Sequence, residues 1–272
     1  MEFSFHSQIE LMGRKCMVID KLQLKVEDYM TPNPISVKPQ LKLIDAVTIM
    51  AKKKIGNVIV NDEKGNPSSI FTERDILNYL VKDGGIPDIE MREVTTKPFS
   101  IVSPNSLVLD AAKTLIGKKK RLLVFDGKKL IGIITASDML RGLRTTGGNP
   151  TLEKVLSHKV YRCEYFDSIF RAVNLMFKKR IGSVLIMKNE VAFGIFTERD
   201  LLQVLTKNVP LQERLANYST YPLIYAKYGI KGNDAAEIMS KNKIKRLALK
   251  KNDEVIAIIT ARDIVDAFRT ML

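Results

Sequence analysis

Apolar and polar positions alternate in one order that recurs four times along the chain. Leu43, Ala46, Val47, Met50 and Ala51 fall at i, i+3, i+4, i+7 and i+8, which places them on one face of a helix. Val108, Ala111, Ala112, Leu115 and Ile116 repeat that stripe, as do Ile169, Ala172, Val173, Met176 and Phe177. Ala235, Ile238 and Met239 keep a weaker version. A short extended segment precedes the stripe, such as Pro34-Ile35-Ser36-Val37 or Phe99-Ser100-Ile101-Val102. Two short apolar runs follow it, such as Val58-Ile59-Val60 and Ser69-Ile70-Phe71, joined by a polar turn, and this predicts a hairpin. A second helix then carries Ile76, Leu77 and Leu80 on its buried face. Each unit reads as β-α-β-β-α, so the fold class is α/β.

The second helix opens on a shared signature. It reads Phe71-Thr72-Glu73-Arg74-Asp75, Thr135-Ala136-Ser137-Asp138, Phe196-Thr197-Glu198-Arg199-Asp200 and Thr260-Ala261-Arg262-Asp263. Its threonines lie 63, 62 and 63 residues apart, and a fixed period sets architecture before any single residue is interpreted. Units one and three share Phe-Thr-Glu-Arg-Asp and a basic-Ile-Gly motif (Lys54-Ile55-Gly56, Arg180-Ile181-Gly182). Units two and four share Thr-Ala-x-Asp and Lys-Arg-Leu (Lys120-Arg121-Leu122, Lys245-Arg246-Leu247). The order A-B-A-B makes the pair the duplicated object. The expected division is an unassigned lead over 1–21, a first pair over 22–144, a linker over 145–151 and a second pair over 152–272. The linker expectation rests on Thr145-Thr146-Gly147-Gly148-Asn149-Pro150, the clearest turn stretch.

Composition narrows the chemistry. At 272 residues and 45% apolar content, two cores are expected. Two cysteines, Cys16 and Cys163, supply neither a disulfide framework nor metal-ligand spacing, which points to a reducing, cytoplasmic setting. Two histidines, His6 and His158, leave metal or histidine-based catalysis little to work with. No nucleophile–base pair or Walker-type glycine loop is present, so no enzyme activity and no catalytic cofactor are expected. No apolar run approaches the ~20 residues that span a bilayer, and Glu2, His6 and Glu10 interrupt any signal-peptide core.

The net charge of +14 makes anionic partners the natural ones. Its placement says more. Basic clusters close the first helix of every unit: Lys52-Lys53-Lys54, Lys118-Lys119-Lys120-Arg121, Lys178-Lys179-Arg180 and Lys241 to Arg246.

With its opening Val26-Glu27-Asp28-Tyr29-Met30-Thr31-Pro32-Asn33-Pro34, the fourfold signature and the hairpins, the chain resembles the CBS domain family over roughly residues 22 to 272. Four-unit chains of that family resemble the gamma subunit of AMP-activated protein kinase. The resemblance implies CBS repeats arranged as two pseudo-twofold pairs, packed through their sheets, with clefts for AMP, ADP, ATP or S-adenosylmethionine. It also implies that the signature Thr and Asp face the ligand. A carboxylate accepts two hydrogen bonds from a cis-diol and donates none, which suits ribose. Amides at the helix start favour an anion.

Cross-pairing within the family implies specific sites. Thr72 and Asp75 are expected to be completed by Ser100, Ile101 and Arg121 of unit two. Thr197 and Asp200 are expected to be completed by Ile224, Lys245 and Arg246 of unit four. The reciprocal sites, Thr135/Asp138 and Thr260/Asp263, draw on the unit-one positions Ile35 and Gly56-Asn57 and on Gly182-Ser183 of unit three. The A-type sites are expected to be better equipped for several phosphates, because the nearest cations of the reciprocal sites, Lys54 and Arg180, sit two residues earlier. Two departures point to a reshaped or empty cleft in the second pair. Lys159-Val160-Tyr161-Arg162-Cys163 lacks the usual Pro, and Gly229 and Gly232 are expected to interrupt the fourth unit's first helix.

Plainer explanations stand beside these. Thr-x-x-Asp before an apolar run is also a helix cap, and basic clusters also complement helix C-termini. The expected function is a stand-alone regulatory protein that binds an adenine nucleotide and signals occupancy to a protein partner, as one disc or as a homodimer. The alternative is a nucleic-acid-binding protein with a basic face, gated by nucleotide; such a face would carry exposed aromatics among its cations.

Overall fold

The computed structural model describes residues 23–94, 98–118 and 121–271. The unassigned lead and Lys120 lie outside them. In unit one, α1 (Val26–Tyr29) and β1 (Thr31–Pro32) form the opening. β2 (Ser36–Val37), α2 (Leu43–Lys53), β3 (Asn57–Asn61), β4 (Pro67–Thr72) and α3 (Glu73–Lys82) follow. Unit two comprises β5 (Ser100–Val102), α4 (Val108–Lys118), β6 (Leu122–Asp126), β7 (Lys129–Ile134) and α5 (Ala136–Thr145). Unit three comprises β8 (Arg162–Glu164), α6 (Ile169–Lys179), β9 (Ser183–Lys188), β10 (Val191–Thr197) and α7 (Glu198–Thr206). A 3-10 turn (Leu215–Tyr218) leads into unit four: β11 (Tyr225–Lys227), α8 (Gly232–Lys241), β12 (Arg246–Lys251), β13 (Glu254–Thr260) and α9 (Ala261–Met271).

Each sheet joins a parallel pair to an antiparallel hairpin, as in β2-β3-β4 and β10-β9-β8. The parallel pair needs a crossover, and the striped helix supplies it. The stripes read from the sequence are buried: Leu43, Ala46, Val47 and Met50 in α2, and Ile169, Ala172, Val173 and Met176 in α6. Each fully buried Leu, Ile or Met contributes about 1.5–3 kcal/mol over an exposed one.

Two kinds of core hold the units. Sheets meet within a pair: Ile59 and Ile70 pack on Leu123 and Ile133, and Leu185 packs with Leu223, Ala248 and Val255. Helices meet between pairs, like with like. One cluster joins units one and three through Met50, Leu77, Leu80, Met176, Leu201 and Leu202, and another joins units two and four. The A-B-A-B order therefore becomes contact of A with A and B with B.

The chain openings cross over. β1 of unit one pairs antiparallel with β7 of unit two, and Thr220 bridges Ile195 of unit three. One expectation is corrected here. Gly229 and Gly232 do not interrupt a helix, because α8 begins at Gly232. Gly229 sits in the preceding turn at φ 89°, a left-handed conformation that glycine adopts without steric cost. Gly232 lets Pro150 approach, since an added Cβ would lie 2.8 Å from its ring.

Candidate functional site

The signature forms the same small structure four times. Thr72, Thr135, Thr197 and Thr260 each donate from both backbone N–H and hydroxyl to Oδ2 of the Asp three residues on. The distances are 2.8–2.9 Å from nitrogen and 2.7 Å from the hydroxyl. Thr72, Thr135 and Thr197 thereby cap α3, α5 and α7. The capping explanation is thus realised in full, yet it consumes only one carboxylate oxygen. The other oxygen, Oδ1, is the acceptor a diol would meet.

What reaches Oδ1 differs among the units. Asp200 accepts from the Thr220 hydroxyl at 3.1 Å, across the pair. Asp138 accepts from Thr31 at 3.5 Å, also across the pair, and from Arg141 at 2.9 Å. No hydrogen bond reaches Oδ1 of Asp263 among the described residues; Asp266 takes the place of Arg141 one turn on and pairs with Arg269. Burial raises the carboxyl pKa of Asp200 and of Asp263, against the hydrogen bonds from their threonines. Sequence reading missed Thr31 and Thr220. The signal was present, since Thr220 follows Thr31 by three repeat periods and each begins a unit just ahead of a proline.

The remaining expected residues occupy the ends of the strands nearest the signature helices. Ser100 donates its N–H to the Arg121 carbonyl at 2.9 Å, so Ser100, Ile101 and Arg121 stand together. Ile101 is exposed, and Ile35 lies beside the start of β2, its carbonyl accepting from Ile59. Asn57 pairs with Thr72 of its own unit. Ile224 is half-buried before β11, and Lys245 accepts from the Ala261 N–H at 3.2 Å. Ser183, after Gly182, is buried opposite Thr197.

Charged side chains from all four units converge where the signature helices begin. Glu198 is buried and holds two arginines: Arg74 of unit one at 2.9 Å and Arg246 of unit four at 3.1 Å. Arg74 also donates to the carbonyl of Arg180, the left-handed cap of α6. Gly182 makes room for this cluster, because a Cβ there would run into the Arg246 guanidinium. Its counterpart Gly56 faces Glu73, whose Oε1 is buried without a hydrogen-bond partner. Burial raises the Glu73 pKa, with Glu198 adding to it and Lys245, Arg199 and Arg246 opposing. Lys245 keeps exposed surface but is hemmed in; desolvation lowers its pKa, and Arg199, Arg121 and Arg246 push the same way. Arg262 donates to the carbonyls of Leu115 and Ile116 in unit two and lies near Arg121 and Arg74. Arg121 forms no ion pair with a carboxylate among the described residues. The centre is therefore cation-rich and desolvated, able to hold an anion of more than one charge.

Among the described residues neither a metal site nor a reactive thiol is indicated. Among the described residues no cluster of His, Cys, Asp and Glu could hold a metal ion, and burial pushes the Cys163 thiol up to about 11. No described helix is long and apolar enough to cross a membrane.

Comparison with known proteins follows the fourfold period. The family model of the CBS domain matches residues 26–82, 91–145, 152–207 and 215–270. An uncharacterized protein of Methanocaldococcus jannaschii is 26% identical over 198 residues, 65% of this chain and 69% of that protein. Its crystal structure, described as that of a candidate archaeal homolog of g-AMPK, has a TM-score of 0.77 at 19% identity, covering 90% of this chain and all of that one. An uncharacterized conserved protein of Pyrococcus horikoshii gives 0.64 over the same shares, also at 19% identity. An inosine-5'-monophosphate dehydrogenase of Aquifex aeolicus is 35% identical over 120 residues, which is 43% of this chain and only 24% of the enzyme.

Proposed function

Because the chain belongs to the CBS domain family, we propose that it is a regulatory protein that binds an adenine nucleotide (AMP, ADP or ATP) in clefts between paired units. The observation that carries this reading is the signature aspartate. In all four units Oδ2 is held by its own threonine, which orients Oδ1 toward the crossing opening of the other unit where that opening is near. The Thr31 and Thr220 hydroxyls reach Oδ1 there, as a ribose hydroxyl would. Arg121 and Lys245, just ahead of β6 and β12, and Arg262, in the first turn of α9, are the cations we assign to the phosphates on that ribose. The M. jannaschii protein described as a candidate g-AMPK homolog shares the fold of this chain.

Signalling follows from the architecture. A ligand that touches two units favours one arrangement of the pair, and contacts of A with A and B with B carry that preference to the other pair. Linkage then couples ligand binding to binding of a protein partner. The cations of units two and four belong to the same central cluster as Glu73 and Glu198, so nucleotide charge bears directly on both pairs.

The test is isothermal titration and thermal-shift measurement on ligand-stripped protein with AMP, ADP, ATP and S-adenosylmethionine. Heat and a raised melting temperature with at least one of them are expected. Silence with all four overturns the reading.

A further inference from the structure

The outer rim of the second pair carries a feature unrelated to the signature clefts. Four aromatic rings follow one another there. Phe166 meets Tyr165 edge-on at 5.0 Å, Tyr165 meets Phe193 edge-on at 5.0 Å, and Phe193 stacks on Tyr221 at 4.2 Å. The ends of the row are open: Phe166 is 70% exposed and Tyr221 62%. Buried aromatics are ordinary core. Rings this exposed on one face are not.

Cations are interleaved with the rings. Arg214 lies over Phe166 at 5.0 Å, Lys188 over Tyr165 at 4.8 Å, and Lys250 over Tyr225 at 4.0 Å. None of the three pairs with a carboxylate among the described residues. Next to Phe193 and Tyr221 opens a pocket of about 320 Å³, walled by Leu223 and Tyr225 and flanked by Lys188 and Lys250. Its walls include no acid. It lies at the hairpin end of β9 and β10, away from Gly182 and Thr197 at the other end of the same strands.

Among the described residues the first pair has one stacked aromatic pair, Phe99 and Phe125 at 6.4 Å, and no such row. Counting back from the shared Phe-Thr-Glu-Arg-Asp, Phe193 corresponds to Ser68 and Lys188 to Glu63. Arg214 bridges Ser168 as Glu90 bridges Lys42. The two A units thus carry opposite charge at equivalent rim positions. Phe71 and Phe196 are buried, whereas Phe166 and Tyr221 of this rim are exposed.

We propose that the Phe166–Tyr165–Phe193–Tyr221 row and its pocket bind single-stranded nucleic acid, bases against the rings and phosphates on Lys188, Arg214 and Lys250. Stacking tolerates any base because every base has a π-face, and cations along the row track the backbone. A duplex hides its bases and offers only phosphates, so the rings select against it. An acidic protein segment would satisfy the cations but leave most ring faces uncovered. The inference goes beyond nucleotide sensing and does not depend on it.

The experiment is a polarisation titration at 150 mM salt with a labelled 20-nucleotide single strand of mixed sequence and with its duplex. AMP and poly-glutamate serve as competitors. The expected result is single-strand binding at least tenfold tighter than duplex binding, undisturbed by AMP. Tyr221→Ala and Phe193→Ser should each weaken the single strand about tenfold and leave the duplex unchanged; unaltered melting temperatures confirm that both variants fold. Phe166→Ala, at the most exposed ring, gives a third variant that cannot disturb the core. Equal affinity for the duplex, no binding of either form, or insensitivity to all three variants overturns the proposal. Displacement of the strand by AMP would place it in the signature clefts, and a ring-dependent preference for poly-glutamate would make the rim a protein-docking surface; either outcome also overturns it.

Discussion

The second helices of units one and three open on the same five residues, yet the glutamates of that signature live in different electrostatic settings. Glu198 is buried between Arg74 and Arg246 and is paired twice. Glu73 is half-buried near it, its Oε1 is buried without a hydrogen-bond partner, and its pKa is raised. The same residue, on the same helix turn, is paired twice in one unit and keeps an unpartnered oxygen in the other. The difference comes from what unit four delivers. Arg246 reaches across to Glu198, whereas Lys245, the nearest cation to Glu73, is itself desolvated. Identical local sequence therefore fixes the local cap, and the neighbouring unit decides the energetics.

The sharpest way to break this comparison is to neutralise both glutamates. Glu198→Gln leaves Arg246, which is 20% exposed, without its carboxylate, and should cost about 2–3 kcal/mol in urea unfolding. Glu73→Gln should cost nothing and raise the melting temperature at pH 7. Equal losses in the two variants would show that the pairing at Glu198 is decorative.

A comparable effect is expected on ligand binding. Asp75→Ala and Asp200→Ala should each cost about 1–3 kcal/mol of AMP affinity, by removing a charged acceptor from ribose. Asp138→Ala should cost less, because its second oxygen is already held by Arg141. Calorimetry of the three variants checks the order, and a larger loss at Asp138 would reverse the ranking of the clefts.

The two glycines sharpen the contrast further. Gly182→Ala drives a Cβ to 2.6 Å from the Glu198 carboxylate and onto the Arg246 guanidinium, and should cost about 1–2 kcal/mol. Gly56→Ala meets the Glu73 carboxylate at 3.1 Å, which a small rotation relieves. Chemical denaturation of the two variants should separate them by about 1 kcal/mol.

The smallest expected effect is on pH. Glu73, Asp200 and Asp263 have folded pKa values raised above 4.5, 3.8 and 3.8. The folded state therefore holds these protons to higher pH than the unfolded chain does. Their contribution is fully present below those values and is lost as pH rises through the raised ones. Melting temperatures should fall as pH rises through the raised values toward neutrality, and Glu73→Gln should flatten part of that slope. An unchanged slope would remove Glu73 as a source.

Much of this was legible in the chain. The stripes Leu43–Ala51 and Ile169–Phe177 gave the crossover helices, because apolar periodicity is a local property. The signature gave the caps for the same reason. Thr31 and Thr220 were not assigned, since their role depends on an opening that crosses to the other unit. The joint hold of Arg74 and Arg246 on Glu198 was equally hidden, because it needs three units folded together. Gly229 and Gly232 misled as helix breakers, since one lies in a turn and the other begins the helix.

The central claim is that the paired clefts hold an adenine nucleotide through their signature aspartates. Native mass spectrometry of the purified protein, before and after addition of AMP, tests it most directly. The account predicts adducts of AMP mass that are lost when Asp75 and Asp200 are both changed to alanine. The bare protein mass at every AMP concentration, or adducts indifferent to both substitutions, would contradict it.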